Sequence, residues 1–307
     1  MGQKNISDKE VLEYMQTLSN WGRWGKDDEL GALNLITDEK RYSAIQLVQD
    51  GHTVSCARPW TTDMDEDVSY QSVRFTAQNN SGGALEYIGM VFHGFHITHI
   101  DSLGHVFWDG KMYNGYDSSK FSTADGALVS SVQPAKNGII SRAVLLDIAK
   151  MKGKKWLDKD EYVYPEDLTA AEKYYNVSVR SGDILLVRTG EYKRRCEEGP
   201  VDPQIHGATG CHVRCTPWFK ERDIAMIGTD TFNEILPYYA LNTGVFHTVS
   251  MVAMGLWVLD NANFEDVTDE CEKRSKWEFM LSINPLNLKN CTGSPVNPCL
   301  LYTSDAA

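Results

Sequence analysis

Four of the eight histidines fall within one short segment, as His93, His96, His99 and His105. Asp101 lies among them, two positions after His99. In an extended strand alternate side chains share a face, so His99 and Asp101 are expected to point to the same side. The turn-forming run Ser102-Leu103-Gly104 can then bring His105 back toward them. Two imidazoles and a carboxylate at one point are a ligand set for zinc, manganese or iron(II), so the segment predicts a metal site.

The second half of the chain offers two further titratable residues, His247 and Asp260. They bracket an apolar segment, HTVSMVAMGLWVLD, that is predicted to be helical. A straight helix between them would span ~20 Å, so both can serve one site only if the helix ends or bends before Asp260. Gly255 makes such a break possible. A bound divalent ion activates its water, and His105, His247 and Asp260 are the predicted catalytic residues that would move protons beside it.

Short apolar runs bounded by turn residues occur throughout the rest of the sequence. Such runs are typical of buried strands in a mixed or parallel sheet. The predicted strands are 52–57, 71–76, 86–101, 142–148, 183–189, 223–229 and 278–283. The spacing of apolar residues predicts helices at 8–18, with Ser7 as N-cap, and at 39–49, 165–175, 215–221, 246–257 and 265–276. This alternation indicates an α/β fold with a mixed central sheet and surrounding helices.

The length of 307 residues, 42% of them hydrophobic, allows a substantial core. No internal repeat or low-complexity linker divides the chain, so residues 1–298 are predicted to form a single domain. The final stretch, 299–307, matches no element of the pattern and is predicted to be a frayed tail.

Charge and hydropathy argue against several classes of partner. The net charge of -12 and the pI near 5.1 give an acidic surface, which repels nucleic acid and anionic membranes. The sequence has no long apolar run and no apolar signal-peptide core near its start, so it predicts no membrane association and a cytoplasmic location. Seven irregularly spaced cysteines are typical of free thiols in a reducing compartment. The expected partner is a small-molecule substrate.

Five blocks of sequence, in order, resemble one known family. THID followed by SLGH is similar to the T-H-x-D-x-x-x-H core of the cyclase-family metal hydrolases, which include bacterial-type kynurenine formamidase and isatin hydrolase. Matches to the longer-chain branch of the family are WGRWGKDDELGALNLIT, HGFHITHIDSLGHVFWDGKMYNG, DTFNEILP, His247 with MGLWVLDN, and TGSPVNP. The resemblance therefore runs from about Trp21 to Pro298.

The resemblance implies a cyclase-like, swivelling β/β/α fold that commonly forms homodimers or homotetramers. It also implies hydrolysis of a C–N bond in an amide, often an N-formyl or cyclic one. His99, Asp101 and His105 match metal ligands or the proton-relay histidine of the family motif, and His247 matches a histidine ligand from the second half. Asp260 falls where many members carry a glutamate.

The chain departs from the common family pattern at one position. That pattern, H-x-G-T-H, has a histidine four residues before the T-H histidine, and here the position is Phe95. In a regular strand His96 would point to the other face, and His93 would lie ~20 Å from His99. Either a β-bulge re-aims one of these histidines, or the site uses one ligand fewer. The number of metal ions and the choice between zinc and manganese therefore stay open.

These observations predict a metal-dependent hydrolase that cleaves an amide, N-formyl or cyclic amide bond with a metal-activated water. The predicted walls of a pocket for a flat ring are Trp21, Trp24, Phe95, His96 and Trp108. Two alternatives remain open. One is a degenerate family member that binds a small molecule without turning it over, which the change to Phe95 motivates. The other is a metal-dependent lyase or dehydratase with no net uptake of water.

Overall fold

The computed structural model describes residues 6–61, 65–68, 71–77 and 82–302. Its helices are α1 (Asp8–Thr17), α2 (Asp38–Ile45), α3 (Ile148–Met151), α4 (Pro165–Tyr174), α5 (Glu191–Glu198), α6 (Pro203–His206), α7 (Thr216–Arg222), α8 (Val245–His247) and α9 (Glu265–Arg274). The strands are β1 (Thr53–Ser55), β2 (Gln71–Ala77), β3 (Ala84–Met90), β4 (His99–Asp101), β5 (Phe121–Ser122), β6 (Gly126–Ala127), β7 (Ile139–Asp147), β8 (Ile184–Arg188), β9 (Met226–Thr229), β10 (Trp257–Asp260), β11 (Glu278–Ile283), β12 (Gly293–Pro295) and β13 (Cys299–Leu301).

Nine of the strands form one mixed sheet in the order β1-β13-β11-β7-β8-β9-β10-β4-β12. The central strands β7, β8, β9 and β10 run parallel to one another, and the outer pairs are antiparallel. β8 and β9 are buried along their whole length. Helices cover both faces of such a parallel centre, which explains why these strands are apolar runs rather than alternating sequences.

Capping side chains set the start of two predicted helices. Ser7 accepts a hydrogen bond from the backbone of Glu10, and the Glu10 carboxylate accepts one from the Ser7 backbone, so α1 begins with a complete capping box. The Thr37 side chain caps α2 by accepting a hydrogen bond from the Lys40 backbone. The predicted helices at 8–18 and 39–49 therefore begin within a residue of the observed ones.

The predicted strand at 86–101 is wrong in its middle. The chain leaves β3 at Met90 and enters β4 at His99, and residues 91–98 between them form a series of bends. Apolar and aromatic residues in this stretch gave it the composition of a strand, but they pack in irregular backbone. The difference matters because it decides where His93, Phe95 and His96 point.

The end of the chain also differs from the prediction. Cys299–Leu301 form β13, which pairs with both β1 and β11 inside the main sheet, and Tyr302 is fully buried. The expected frayed tail thus begins no earlier than residue 303, and residues 303–307 lie outside the described residues. A domain boundary at 298 remains a prediction. In the described part of the chain, no helix is both long and apolar enough to cross a membrane.

Candidate metal centre

The central feature of the site is strand β4, which lies between β10 and β12 at one end of the sheet. Ile100 points into the core, so His99 and Asp101 share the opposite face, as their spacing predicts. His99 Nε2 lies 3.4 Å from Asp101 Oδ1. The register sets Asp260 of β10 directly opposite His99, with Asp260 Oδ2 3.8 Å from His99 Nε2.

A tight turn after β4 returns His105 to the same place. The backbone of His105 donates to the carbonyl of Ser102, and that of Gly104 donates to the carbonyl of Ser130. A side chain at Gly104 would approach the Ser130 oxygen to 2.9 Å, so the turn requires glycine there. His105 Nε2 then lies 3.9 Å from Asp101 Oδ2.

His93 also belongs to the cluster, although a regular strand would have placed it far from His99. Because residues 91–98 bend rather than extend, His93 Nδ1 lies 2.7 Å from Asp101 Oδ1 instead of ~20 Å from His99. Its ring stacks on that of His105 with centroids 4.0 Å apart, and meets His99 edge-on at 5.3 Å. Bends in the chain, rather than a β-bulge within a strand, therefore bring His93 to Asp101.

His247 reaches the same point from the second half of the chain. It ends α8, and the helix continues through a π-helical turn, Thr248–Ala253, before it stops. Gly255 follows in a left-handed conformation, and a Cβ there would overlap the ring of Tyr113. The chain then reverses into β10, which carries Asp260 back until its Oδ2 lies 3.7 Å from His247 Nε2.

Glu234 positions His247, a contact that could not be predicted from the sequence. Its carboxylate accepts hydrogen bonds from the backbones of Phe246 and His247 at the start of α8, at 3.1 and 3.3 Å. The same oxygen lies 3.3 Å from His247 Nδ1 and fixes the ring orientation. Asn233 donates to Asp260 Oδ1 at 2.7 Å, so one short segment orients residues on both α8 and β10.

The charges in the site favour a cation. Burial would raise the pKa of Asp101, but the imidazoles of His105 and His99 outweigh it, so the net effect lowers that pKa. Both carboxylate oxygens of Asp101 are buried without a hydrogen bond of good geometry. Burial lowers the pKa of His105 to about 4, which keeps its ring neutral and able to coordinate. A buried carboxylate among convergent imidazoles fits a divalent ion.

Two overlapping triads have ligand atoms close enough to hold an ion. They are His93, Asp101 and His105 on one side, and His99, Asp101 and Asp260 on the other. Within each triad the candidate atoms lie within 4.8 Å of one another. Nitrogen and carboxylate ligands suit zinc and manganese alike. Asp101 belongs to both triads, and His247 lies 3.8 Å from its Oδ2 without being a member of either.

An open cavity of about 680 Å³ leads to this cluster. His105 and His247 lie in its wall, and Glu234 is beside them. Apolar residues make up much of the remaining wall: Phe95, Val106, Phe232, Leu236 and Pro237. Gln204, Asn242, Thr243 and Thr248 add neutral polar groups. None of its described lining residues is an arginine or lysine.

Among the residues predicted to wall the pocket, only Phe95 lines this cavity. Trp21 is half-exposed and donates its indole N–H to the carbonyl of Val252, and Trp24 lies under the guanidinium of Arg23. Trp108 pairs through its backbone with Lys111. His96 is buried away from the cavity. Aromatic composition alone could not distinguish these positions, because each depends on how distant segments pack.

Comparisons with known proteins agree with this architecture. The Cyclase family model matches residues 44–234. A solved structure described as a novel cyclase is 26% identical over 94% of this chain and 98% of its own, with a TM-score of 0.83. Isatin hydrolase A from Labrenzia aggregata is 19% identical over 82% of this chain and 94% of its own, with a TM-score of 0.57.

An isatin hydrolase bound to the product analogue thioisatinate is 14% identical over 87% of this chain and all of its own, with a TM-score of 0.59. A comparison with curated proteins found no match. The mixed α/β fold expected from the sequence is confirmed by these structural likenesses.

Proposed function

Since the chain belongs to the Cyclase family, we propose that it is a metal-dependent hydrolase that cleaves the C–N bond of a small, uncharged amide. The observation that carries the proposal is the cluster around Asp101, which opens onto a largely apolar cavity. Convergent imidazoles and carboxylates at the bottom of such a cavity are the usual form of a catalytic metal site.

The ligands of the ion in this proposal come from both triads and are His93, His99, Asp101 and Asp260. His105, the remaining member of the His93 triad, is assigned to proton transfer instead. When bound, a divalent ion polarises a substrate carbonyl and lowers the pKa of water. This chain's own residues would hold the ligands in place and transfer the protons. They fix the ligand geometry through Asn233 and the β4–β10 register, and they move protons at the cavity wall.

His105 and His247 face the substrate and have opposite electrostatic surroundings. His105 is a neutral imidazole because burial lowers its pKa, so it is suited to accept the proton of the attacking water. Burial also lowers the pKa of His247, but the carboxylates of Asp260 and Glu234 raise it well above the ordinary value. A protonated His247 is therefore suited to give a proton to the leaving nitrogen.

The lining of the cavity narrows the choice of amide. Its neutral polar groups can hydrogen-bond a carbonyl or an N–H, and the aromatic rings of Phe95 and Phe232 can pack on a flat ring. A carboxylate on the substrate would find no described arginine or lysine there. N-formyl anilides and uncharged cyclic amides are therefore the preferred substrates.

Elemental analysis of protein purified without added metal, paired with the His99→Ala variant, tests the site. About one or more equivalents of zinc or manganese is expected, with loss in the variant. The activity test is a panel of N-formyl and cyclic amides, read by mass spectrometry, in which a hydrolysis product gains one water. A product with unchanged mass would indicate a lyase. Bound metal with no turnover of any amide would contradict the proposed reaction.

We also propose that the protein self-associates. The β2–β3 hairpin exposes Phe75, Leu85 and Tyr87, each more than 60% accessible. A two-stranded hairpin with exposed apolar side chains is marginal in water unless something covers it. Sedimentation of the protein is expected to show a homodimer or homotetramer, and the Leu85→Lys variant is expected to shift it toward monomer. A monomeric wild-type protein would refute this.

A further inference from the structure

The ring of His93 packs against the start of strand β12, which pairs with β4 on the side away from β10. Gly293 of β12 lies opposite Asp101, and a Cβ on it would approach His93 Cε1 to 2.7 Å. Thr292, the residue before β12, is held beside β4 because its carbonyl accepts from the Ser102 backbone at 2.9 Å. Its hydroxyl oxygen lies 3.2 Å from His93 Nε2. A glycine thus leaves room for the ring, and the threonine before it contacts one ring nitrogen.

The two ring nitrogens of His93 have different surroundings. Nε2 faces the Thr292 hydroxyl, whereas Nδ1 lies 2.7 Å from Asp101 Oδ1. Both Nδ1 and Asp101 Oδ1 are buried, and neither has a hydrogen-bond partner of good geometry, although they are so close. Two ligands of one ion lie ~3 Å apart and point at the ion rather than at each other, because each is ~2.0–2.2 Å from it. The arrangement therefore identifies Nδ1 as the ligand atom of His93.

His99 shows the opposite arrangement. Its Nδ1 lies 2.8 Å from the carbonyl oxygen of Ile97, which can only accept, so the proton is on Nδ1 and Nε2 faces Asp101. The partner of His93 is a hydroxyl, which can either donate or accept. The Thr292 hydroxyl donates to Nε2 when the ring proton is on Nδ1, and it accepts from Nε2–H when Nδ1 is free to coordinate. Loading of the site therefore needs no movement of Thr292.

We propose that Thr292 is a positioning residue that selects Nδ1 of His93 as the metal ligand, an inference that rests on the proposed metal-dependent function. The stack of His93 on His105 does not select the nitrogen, because a half-turn of the ring keeps the stack but places Cδ2 where Nδ1 was. The Thr292 hydroxyl opposes this half-turn, since it bonds Nε2 in one orientation only. Loss of such a hydrogen bond to a metal-bound imidazole commonly costs ~10–100-fold in metal affinity.

Calorimetric zinc titrations of the full-length, metal-stripped protein test the role of the hydroxyl. Thr292→Val keeps the shape of the side chain without its hydroxyl and is expected to bind zinc ~10–100-fold more weakly. Thr292→Ser keeps the hydroxyl and should bind zinc as the wild type does. Thr169→Val is the matched control, since the Thr169 hydroxyl also bonds a ring N–H, that of Trp218, at 3.0 Å. Equal zinc affinity in wild type and Thr292→Val would overturn the proposal.

The ligand atom itself is read from long-range ¹H–¹⁵N spectra of zinc-loaded protein with ¹⁵N-labelled histidine. The His93 signals are those that disappear in His93→Ala. Zinc on Nδ1 and a proton on Nε2 are expected. Zinc on Nε2, or a His93 ring that zinc leaves unchanged, would overturn the proposal. This measurement uses the wild type, so it gives a decision even if Thr292→Val fails to fold.

These measurements separate the role of Thr292 from the proposed reaction. If Thr292→Val loses zinc affinity but the wild type hydrolyses no amide, the role of Thr292 stands and the reaction is refuted. If the wild type hydrolyses amides and Thr292→Val binds zinc normally, the reaction stands and the role of Thr292 is refuted. A wild type that binds no zinc would overturn the assignment of His93 Nδ1.

Discussion

Replacement of Asp101 by asparagine is the sharpest test of the metal centre. The substitution keeps the size of the side chain and removes its charge. Asp101 is the one residue that both candidate triads share. The variant is therefore expected to lose metal from either position, whether the native site holds one ion or two.

The expected loss of metal affinity follows from the number of contacts that the Asp101 carboxylate makes. Imidazole nitrogens of His93, His99, His105 and His247 lie 2.7 to 3.9 Å from its two oxygens. Removal of a group that only supports a ligand commonly costs ~10–100-fold in metal affinity. Loss of the shared ligand itself should cost at least ~100-fold, or about 2.7 kcal/mol of binding free energy.

The assay compares metal affinity and thermal unfolding with and without a chelator. Chelation should lower the Tm of the wild type, because a bound ion stabilises only the folded state, and should leave Asp101→Asn unchanged. Asp125→Asn, on an exposed loop, is the control and should behave like the wild type. If Asp101→Asn retains metal with native affinity, the assignment of the site to Asp101 is refuted.

Four further predictions follow from the same structure. His93→Ala should lower metal affinity ~10–100-fold, whereas His52→Ala, on the surface, should not; equal metal content in both variants would remove His93 from the site. Glu234→Gln should lower the pKa of His247, because the Glu234 carboxylate raises it. The alkaline limb of the kcat–pH profile should therefore move to lower pH, and kcat should fall ~10–100-fold. An alkaline limb that does not move would exclude His247 as the acid. In metal-free protein the His105 pKa is about 4, against 6.5 in the unfolded chain, so the unfolded chain binds the extra proton between these values. The free energy of unfolding should therefore fall by about 3 kcal/mol as pH drops through this window. Urea titrations with the same pH dependence for His105→Asn would contradict this. Arg188→Met leaves the fully buried Asp147 unpaired and should lower the free energy of unfolding by about 3–5 kcal/mol in urea, and a loss below about 1 kcal/mol would show that the pair is dispensable.

The sequence predicted the parts of the site that depend on local geometry. His99 and Asp101 share a face because alternate residues of any strand do, and the Ser102–Gly104 turn returns His105 because the chain is short there. The end of the helix near Gly255 was also predictable, because a straight helix would keep His247 and Asp260 too far apart to serve one site. The central strands were predictable because residues buried on both faces must be apolar.

The prediction for residues 91–98 was wrong for an equally physical reason. Bends and strands share the same aromatic and aliphatic composition, and only packing against distant segments distinguishes them. Asn261 Nδ2 donates to the carbonyls of Gly94 and Ile97, which fixes the bend from the far end of the chain. Periodicity within the segment carries no information about such a contact.

By itself, then, the sequence determined which residue types could bind a metal, which strand carries them and which family the chain belongs to. Tertiary structure alone decided that His93 joins the cluster, that Glu234 orients His247 and that Trp21 lies outside the cavity. The reason is the range of the interactions. Alternation and turn chemistry act over a few residues, whereas these three contacts join segments whose distance is set only when the whole sheet has formed.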